Sequence, residues 1–263
     1  MRGAPIAAAA LAEHLRSLGL VRGDVVLVHT ALSKVAGGRL VLGGPVAVIE
    51  ALQRVLGFEG TLAMPAFSAS WSEPRRWTNP PVPEGWWPAI RAGWPAYHPA
   101  RTPTFRIGVV PEVFRAFDGV HRSAHPQCSF CAWGAGAEAL TAAHPLDDPL
   151  GDGSPLGALE RRGAKGLLLG AGWGSCTAFH LGEMRAAAAP GWVEDGAAMW
   201  VEGERRWVRF RCRDADADDF PRLGRDFEAS GAVRRARVGE ADARLFALRD
   251  AASFAERWID RHR

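Results

Sequence analysis

Two short apolar runs limit what this chain can fold into more than any other feature. Asp24-Val-Val-Leu-Val-His29 is continuously apolar and rich in β-branched residues, the pattern of a strand covered on both faces. Lys165-Gly-Leu-Leu-Leu-Gly170 is bounded by glycines and too short for a helix, so it also reads as a buried strand. Each run ends in chemistry. The first delivers His29-Thr30-Ala31-Leu32-Ser33-Lys34-Val35, and the second opens Gly170-Ala-Gly-Trp-Gly-Ser175-Cys176-Thr177-Ala-Phe-His180-Leu-Gly-Glu183. Glycines at 170, 172 and 174 let that backbone take positive φ or approach a ligand, and Ser175 or Thr177 is the expected cap of a helix carrying His180 and Glu183. Those two residues are i and i+3 on one face. A carboxylate beside an imidazole fixes its tautomer and raises its basicity, which suits a general base.

In chain order, Ala8, Leu11, Leu15 and Leu18 give a helix closed by Gly19. Gly37 to Gly44 is a glycine-rich turn leading to Pro45 at the first position of a helix running to about Leu56. The glycines around Gly43 and Gly44 read either as a simple turn or as an anion site at the helix start, and neither GxxxxGK[ST] nor GxGxxG is present. A strand follows over Gly60 to Met64. From about residue 66 to 103 tryptophan and proline accumulate (Trp71, Trp77, Trp86, Trp87, Trp94) without usable periodicity, and the stretch reads as an ordered insertion walling a cleft, with Glu73 and Glu84 as its acids.

Helices are expected over Gly108 to Phe117, Ala135 to Ala143 and, capped by Ser154 before Pro155, to about Glu160. The polar turn from Val120 to Pro126 carries Arg122, Ser123 and His125 into a strand around Cys128 to Trp133. Asp147, Asp148 and Asp152 are turn formers or receivers of a cationic substrate. A hairpin over Gly191 to Cys212 turns at Glu202-Gly203-Glu204. A helix from Phe220 to Ser230, a strand from Ala232 to Val238 and a closing amphipathic helix from Ala241 to Asp260 complete the reading.

At 263 residues and 48% hydrophobic, residues 1–263 are expected to bury one core as one domain. No basic apolar leader and no membrane-length run is present, so a cytoplasmic protein with no membrane partner is expected. Four cysteines make no disulfide framework. Cys128-Ser-Phe-Cys131 lacks the second ligand pair that zinc requires, and HxxE offers only two ligands, so no metal is expected. A net charge of +3 without a basic stripe argues against nucleic acid.

Several stretches together resemble the aminoglycoside N3-acetyltransferases, the antibiotic acetyltransferase family distinct from the GNAT fold. They are Val28-His29-Thr30-Ala-Leu32-Ser33, Gly43-Gly44, Gly60-Thr-Leu-Ala-Met-Pro65, Asn79-Pro-Pro81, Arg122-Ser123-Ala-His125-Pro126, Ser129-Phe130, Asp152-Gly-Ser154-Pro155-Leu156, Leu167-Leu-Leu-Gly170 and Thr177-Ala-Phe-His180-Leu-Gly-Glu183, in order across nearly the whole chain. The resemblance implies an α/β fold with a central mixed sheet between helices, and acetyl transfer from acetyl-CoA to the 3-amino group of a deoxystreptamine ring. It implies His180 as base, Glu183 as its orienting carboxylate, and His29 and Thr177 as catalytic neighbours, Thr177 as an oxyanion donor. Cofactor contacts are expected from Thr30, Ala31, Leu32, Ser33, Lys34, Val35, Gly43, Gly44, Arg122, Ser123 and His125, and substrate contacts from Glu73, Asp147, Asp148 and Asp152. The partner is an aminoglycoside or other cationic amine, and the assembly a monomer or homodimer. Acetylation of a different amine, a ping-pong route through Cys176 and non-catalytic CoA binding are the alternatives. Gly182 stands where the family commonly has Ala, and Tyr97-His98-Pro99 replaces a common Phe-Asp-Pro.

Overall fold

A computed structural model describes residues 3–263. The elements run α1 (Ala8–Leu18), β1 (Val25–Thr30), α2 (Leu32–Ala36), α3 (Pro45–Leu56), β2 (Thr61–Pro65), α4 (Trp87–Gly93), α5 (Val109–Phe114), β3 (His121–Arg122), β4 (Phe130–Gly134), α6 (Ala137–Thr141), α7 (Pro155–Arg161), β5 (Lys165–Leu169), α8 (Ala178–Arg185), β6 (Trp192–Val201), β7 (Glu204–Arg213), α9 (Phe220–Ala229), β8 (Arg234–Val238), β9 (Ala241–Ala247) and α10 (Leu248–His262).

Seven strands form one mixed sheet in the order β3-β4-β2-β1-β5-β9-β8. The centre, β2-β1-β5, is parallel, and antiparallel strands extend it on both sides. Both faces are covered, as the apolar runs require. Val26 and Val28 of β1 join α1 and α3 in one core, while Leu27 points into a second core with α7, α8, α9 and α10.

The expected closing helix begins later than the sequence indicates. Ala241 to Ala247 is the strand β9, paired antiparallel with β5 and β8, and α10 starts only at Leu248. The helices expected at 108–117 and 135–143 are short, covering Val109–Phe114 and Ala137–Thr141. Ser154 does cap α7, its hydroxyl accepting from the Leu156 N–H at 3.1 Å.

The Trp/Pro insertion packs on the long β6-β7 hairpin. Trp94 meets Trp71 and Trp77 edge-on at 5.8 and 5.0 Å, Arg205 donates to the Trp94 carbonyl at 3.0 Å, and the Tyr97 N–H donates to the Ala198 carbonyl at 2.8 Å. Arg122 ties the insertion to the sheet, donating to the carbonyls of Ala66 and Pro99 and to the hydroxyls of Ser68 and Ser129. No helix among the described residues is long and apolar enough to cross a membrane.

Candidate active site

Parallel pairing of β1 with β5 sets His29 opposite Leu168 and Thr30 opposite Leu169, so both chemistry-bearing stretches leave the sheet side by side. Ligands in such sheets bind beyond the carboxyl ends of the strands. Here that position is a cavity of about 960 Å³ lined by His29 to Ser33, Arg106 to Val109, Gly170 to Gly172, Gly174, Ser175, Thr177 and His180. Gly170 has φ +73°, and a Cβ on it would lie 2.8 Å from the Lys34 Cβ, so the turn out of β5 needs glycine there.

α8 carries the central pair. His180 Nδ1 lies 2.6 Å from Glu183 Oε2, and the Glu183 side chain is fully buried. A carboxylate there assigns the proton to Nδ1 and leaves Nε2 as the ring's basic atom. His180 lines the cavity with its ring against Phe220, centroids 4.6 Å apart. The second Glu183 oxygen accepts from the Asp216 N–H at 3.1 Å and from Arg263.

Thr177 does not cap α8 with its side chain. Its hydroxyl sits 2.7 Å from His29 Nε2 instead, and its N–H points at the same nitrogen from 3.3 Å. Burial, reinforced by the neighbouring His180, pushes the His29 pKa down to about 3, so its imidazole is neutral. His29 Nδ1 is buried and has no partner among the described residues. Cys176 is also buried, and desolvation pushes its thiol up to about 12, far from a nucleophilic thiolate.

A second cavity of about 590 Å³ adjoins the first at Phe67 and Arg106. The insertion supplies one wall through Phe67, Trp77, Asn79 and Trp94, and the hairpin end supplies Asp195, Cys212, Arg213 and Asp214.

Of the residues expected in the site, His29 to Ser33, Thr177 and His180 line the first cavity, with Glu183 directly behind. The others lie outside both linings. Val35 is in the core, Lys34 is exposed beside Gly170, and Gly43 and Gly44 precede α3. Arg122 is engaged by internal oxygens, as described above. The Ser123 hydroxyl accepts from the Phe130 N–H and meets His144 Nδ1 at 2.9 Å, and His125 accepts from the N–H groups of Gln127 and Cys128. Glu73 is buried against Arg91, Asp148 accepts from the Gly153 N–H, and Asp152 pairs with Arg185. Asp147 lines neither cavity. Internal pairing, invisible in a linear sequence, occupies Glu73, Arg122, Ser123 and His125, whereas Lys34, Asp147 and Asp152 are exposed outside both cavities.

Arg106, Asp195, Arg263 and the run Asp214-Ala-Asp216-Ala-Asp218-Asp219 are further residues at or behind the cavities that the sequence does not single out. Only the last carries a signal in the sequence, an acidic run between two elements whose carboxylates at 214, 216 and 218 are exposed. Among the described residues no group of three or more His, Cys, Asp or Glu side chains is placed to hold a metal ion.

Residues 27–260 match the family model for aminoglycoside 3-N-acetyltransferase. The YokD aminoglycoside N(3')-acetyltransferase-like protein of Bacillus subtilis is 44% identical over 95% of this chain and 90% of its own length, and its crystal structure superposes with a TM-score of 0.95, covering 99% and 95%. Aminoglycoside N(3)-acetyltransferase VII of Streptomyces paromomycinus is 39% identical over 97% of this chain and 92% of its own. The AAC-IIIb binary complex with CoASH superposes with a TM-score of 0.87 at 32% identity, covering 98% and 97%. A model matched over most of the chain and relatives of this similarity place the protein in the aminoglycoside 3-N-acetyltransferase family of acyltransferases.

Proposed function

We propose that the chain transfers an acetyl group from acetyl-CoA directly to a primary amine, the 3-amino group of an aminoglycoside's deoxystreptamine ring, with His180 as general base. The observation that carries this reading is the His180–Glu183 pair on the wall of a cavity at the strand ends. A relative of known structure holds CoASH, and curated relatives are named for the 3-N position of aminoglycosides. The pantetheine arm runs past Thr30 to Ser33 and Gly170 to Gly174, and Lys34 with the Gly43-Gly44 helix start serves the phosphate end. No metal takes part in this scheme. The reaction belongs in the cytoplasm, with acetyl-CoA as cosubstrate.

In the transfer, His180 Nε2 takes the proton of the attacking amine while Glu183 steadies the imidazolium that forms. The thioester oxygen gains negative charge as the amine adds, and the Thr177 hydroxyl donates to it. His29 Nε2, 2.7 Å from the Thr177 oxygen and 3.3 Å from the Thr177 N–H that points at it, holds Thr177 in place. Collapse of the adduct breaks the C–S bond and leaves the amide, and the departing CoA thiolate takes up the proton held on the His180 imidazolium, which restores the neutral base. Asp214, which lines the second cavity, and the exposed Asp216 and Asp218 of the same loop supply negative charge that attracts a cationic amine.

A second reading, acetylation of a less cationic amine by the same chemistry, has one observation in its favour. Asp195 and Asp214 both pair with Arg76, and Arg106 and Arg213 line the same cavity. Thiol release measured across aminoglycosides and simple amines decides between them: turnover with compounds bearing a free 3-amino group and none when it is blocked supports the first reading, and preference for monoamines supports the second.

A further inference from the structure

The carboxylate that orients His180 is itself held by a residue 80 positions away. Glu183 is fully buried, with one oxygen on His180 Nδ1 and the other on the Asp216 N–H and the Arg263 guanidinium. Arg263 makes more contacts on its remaining edges. Its Nε donates to Asp219 Oδ2 at 2.8 Å, and its Nη2 donates to Asp219 Oδ1 at 2.6 Å and to the Asp216 carbonyl at 2.8 Å. Four of the five N–H donors of the planar fork are engaged among the described residues, and only 20% of the side chain is exposed. A carboxylate removed from water needs both a countercharge and donors for its lone pairs. His180 supplies one donor and Asp216 another, but among the described residues the only full positive charge paired with Glu183 is that of Arg263.

We infer that Arg263 is a positioning residue for the reaction: it supplies the countercharge that fixes the Glu183 carboxylate behind His180, and through Asp219 and the Asp216 carbonyl it holds the acidic 214–219 loop in register with that pair. The loop that lines the amine side and the base that serves the amine therefore share one anchor. A lysine at 263 would restore the charge and lose the fork.

This inference rests on His180 acting as the base, and the test separates the two. In the full chain, Arg263→Gln should lower kcat by roughly 10- to 100-fold, the usual effect of losing a residue that orients a catalytic ligand, with the KM for acetyl-CoA unchanged. Arg263→Lys should recover part of the loss. Asp219→Asn, which removes only the far support of the guanidinium, should give a smaller loss in the same direction with the melting temperature retained. The activity-independent readout is the His180 Nδ1 proton in the NMR spectrum, assigned by its absence in His180→Ala. It should lose its hydrogen-bonded downfield position in Arg263→Gln while the backbone spectrum stays native. Unchanged kcat and an unchanged Nδ1 resonance in Arg263→Gln would overturn the inference. So would a kcat loss that merely tracks loss of folded protein across all three variants. If His180→Ala turned over normally, the base assignment would fail, and the Nδ1 resonance would still report on the Arg263 anchor.

Discussion

At the scale of single residues, burial decides which groups near the cavity do chemistry. His180 and Cys176 are neighbours in sequence, yet one lines the cavity and the other is sealed in the core with its thiol pushed up to about 12. Cys176→Ala should therefore leave turnover intact, and mass spectrometry of the wild-type chain mixed with acetyl-CoA alone should find no acetyl adduct on Cys176; a stoichiometric adduct would contradict this. The i, i+3 spacing of His180 and Glu183 was legible because a helix converts it directly into contact. Arg263 was not, because nothing in a linear sequence pairs a residue of the last helix's end with one in α8. Arg122 misleads for the opposite reason: a lone arginine in a polar turn reads as an anion contact, whereas its nitrogen atoms satisfy internal carbonyls.

At the scale of elements, β1, α3 and β5 were legible because each is strongly patterned and punctuated by glycine or proline. In the segment from Ala241 to Asp260 a strand signal is present but short: Ala241-Asp-Ala-Arg-Leu245 alternates apolar and polar, while its alanines also suit the helix that follows. Its first seven residues are a strand because β5 and β8 offer them a ladder. Gly182 shows a similar dependence on neighbours. In isolation it looks like a helix-weakening change from alanine, but α8 and α10 approach so closely that a Cβ there would lie 2.2 Å from the Ala252 carbonyl oxygen and 2.7 Å from the Glu256 nitrogen. Gly182→Ala should gain about 1 kcal/mol of helix propensity against an overpacking cost of about 1–3 kcal/mol. Urea denaturation should show net destabilisation, with turnover reduced because α8 carries both His180 and Glu183; a more stable, fully active variant would contradict the packing account.

At the scale of the whole molecule, the ends of a regular sheet build the first cavity and an irregular layer builds a wall of the second. Residues 66–103 carry no periodicity because their order comes from tryptophan contacts, Arg122 and the hairpin rather than from local pattern. The same interior holds three neutral histidines. Burial pushes His29 and His125 down to about 3 and His144 to about 4. Unfolded, each takes up a proton below about pH 6.5, whereas folded it resists until far lower pH. The unfolded chain thus binds more protons in that window, so their contribution is complete above about pH 6.5 and is lost as pH falls toward about 3. The urea midpoint should decline between pH 6.5 and 5, above the carboxylate range; a flat midpoint there would contradict the burial of these rings. The central claim is that His180, held by Glu183, removes the proton of an acceptor amine while acetyl-CoA is bound. It is tested most directly by thiol release from acetyl-CoA with an aminoglycoside bearing a free 3-amino group, comparing wild type with His180→Ala. The expected outcome is a loss of about 10²- to 10⁴-fold in kcat with CoA affinity by calorimetry unchanged, and turnover within a few-fold of wild type in His180→Ala would rule out His180 as the base.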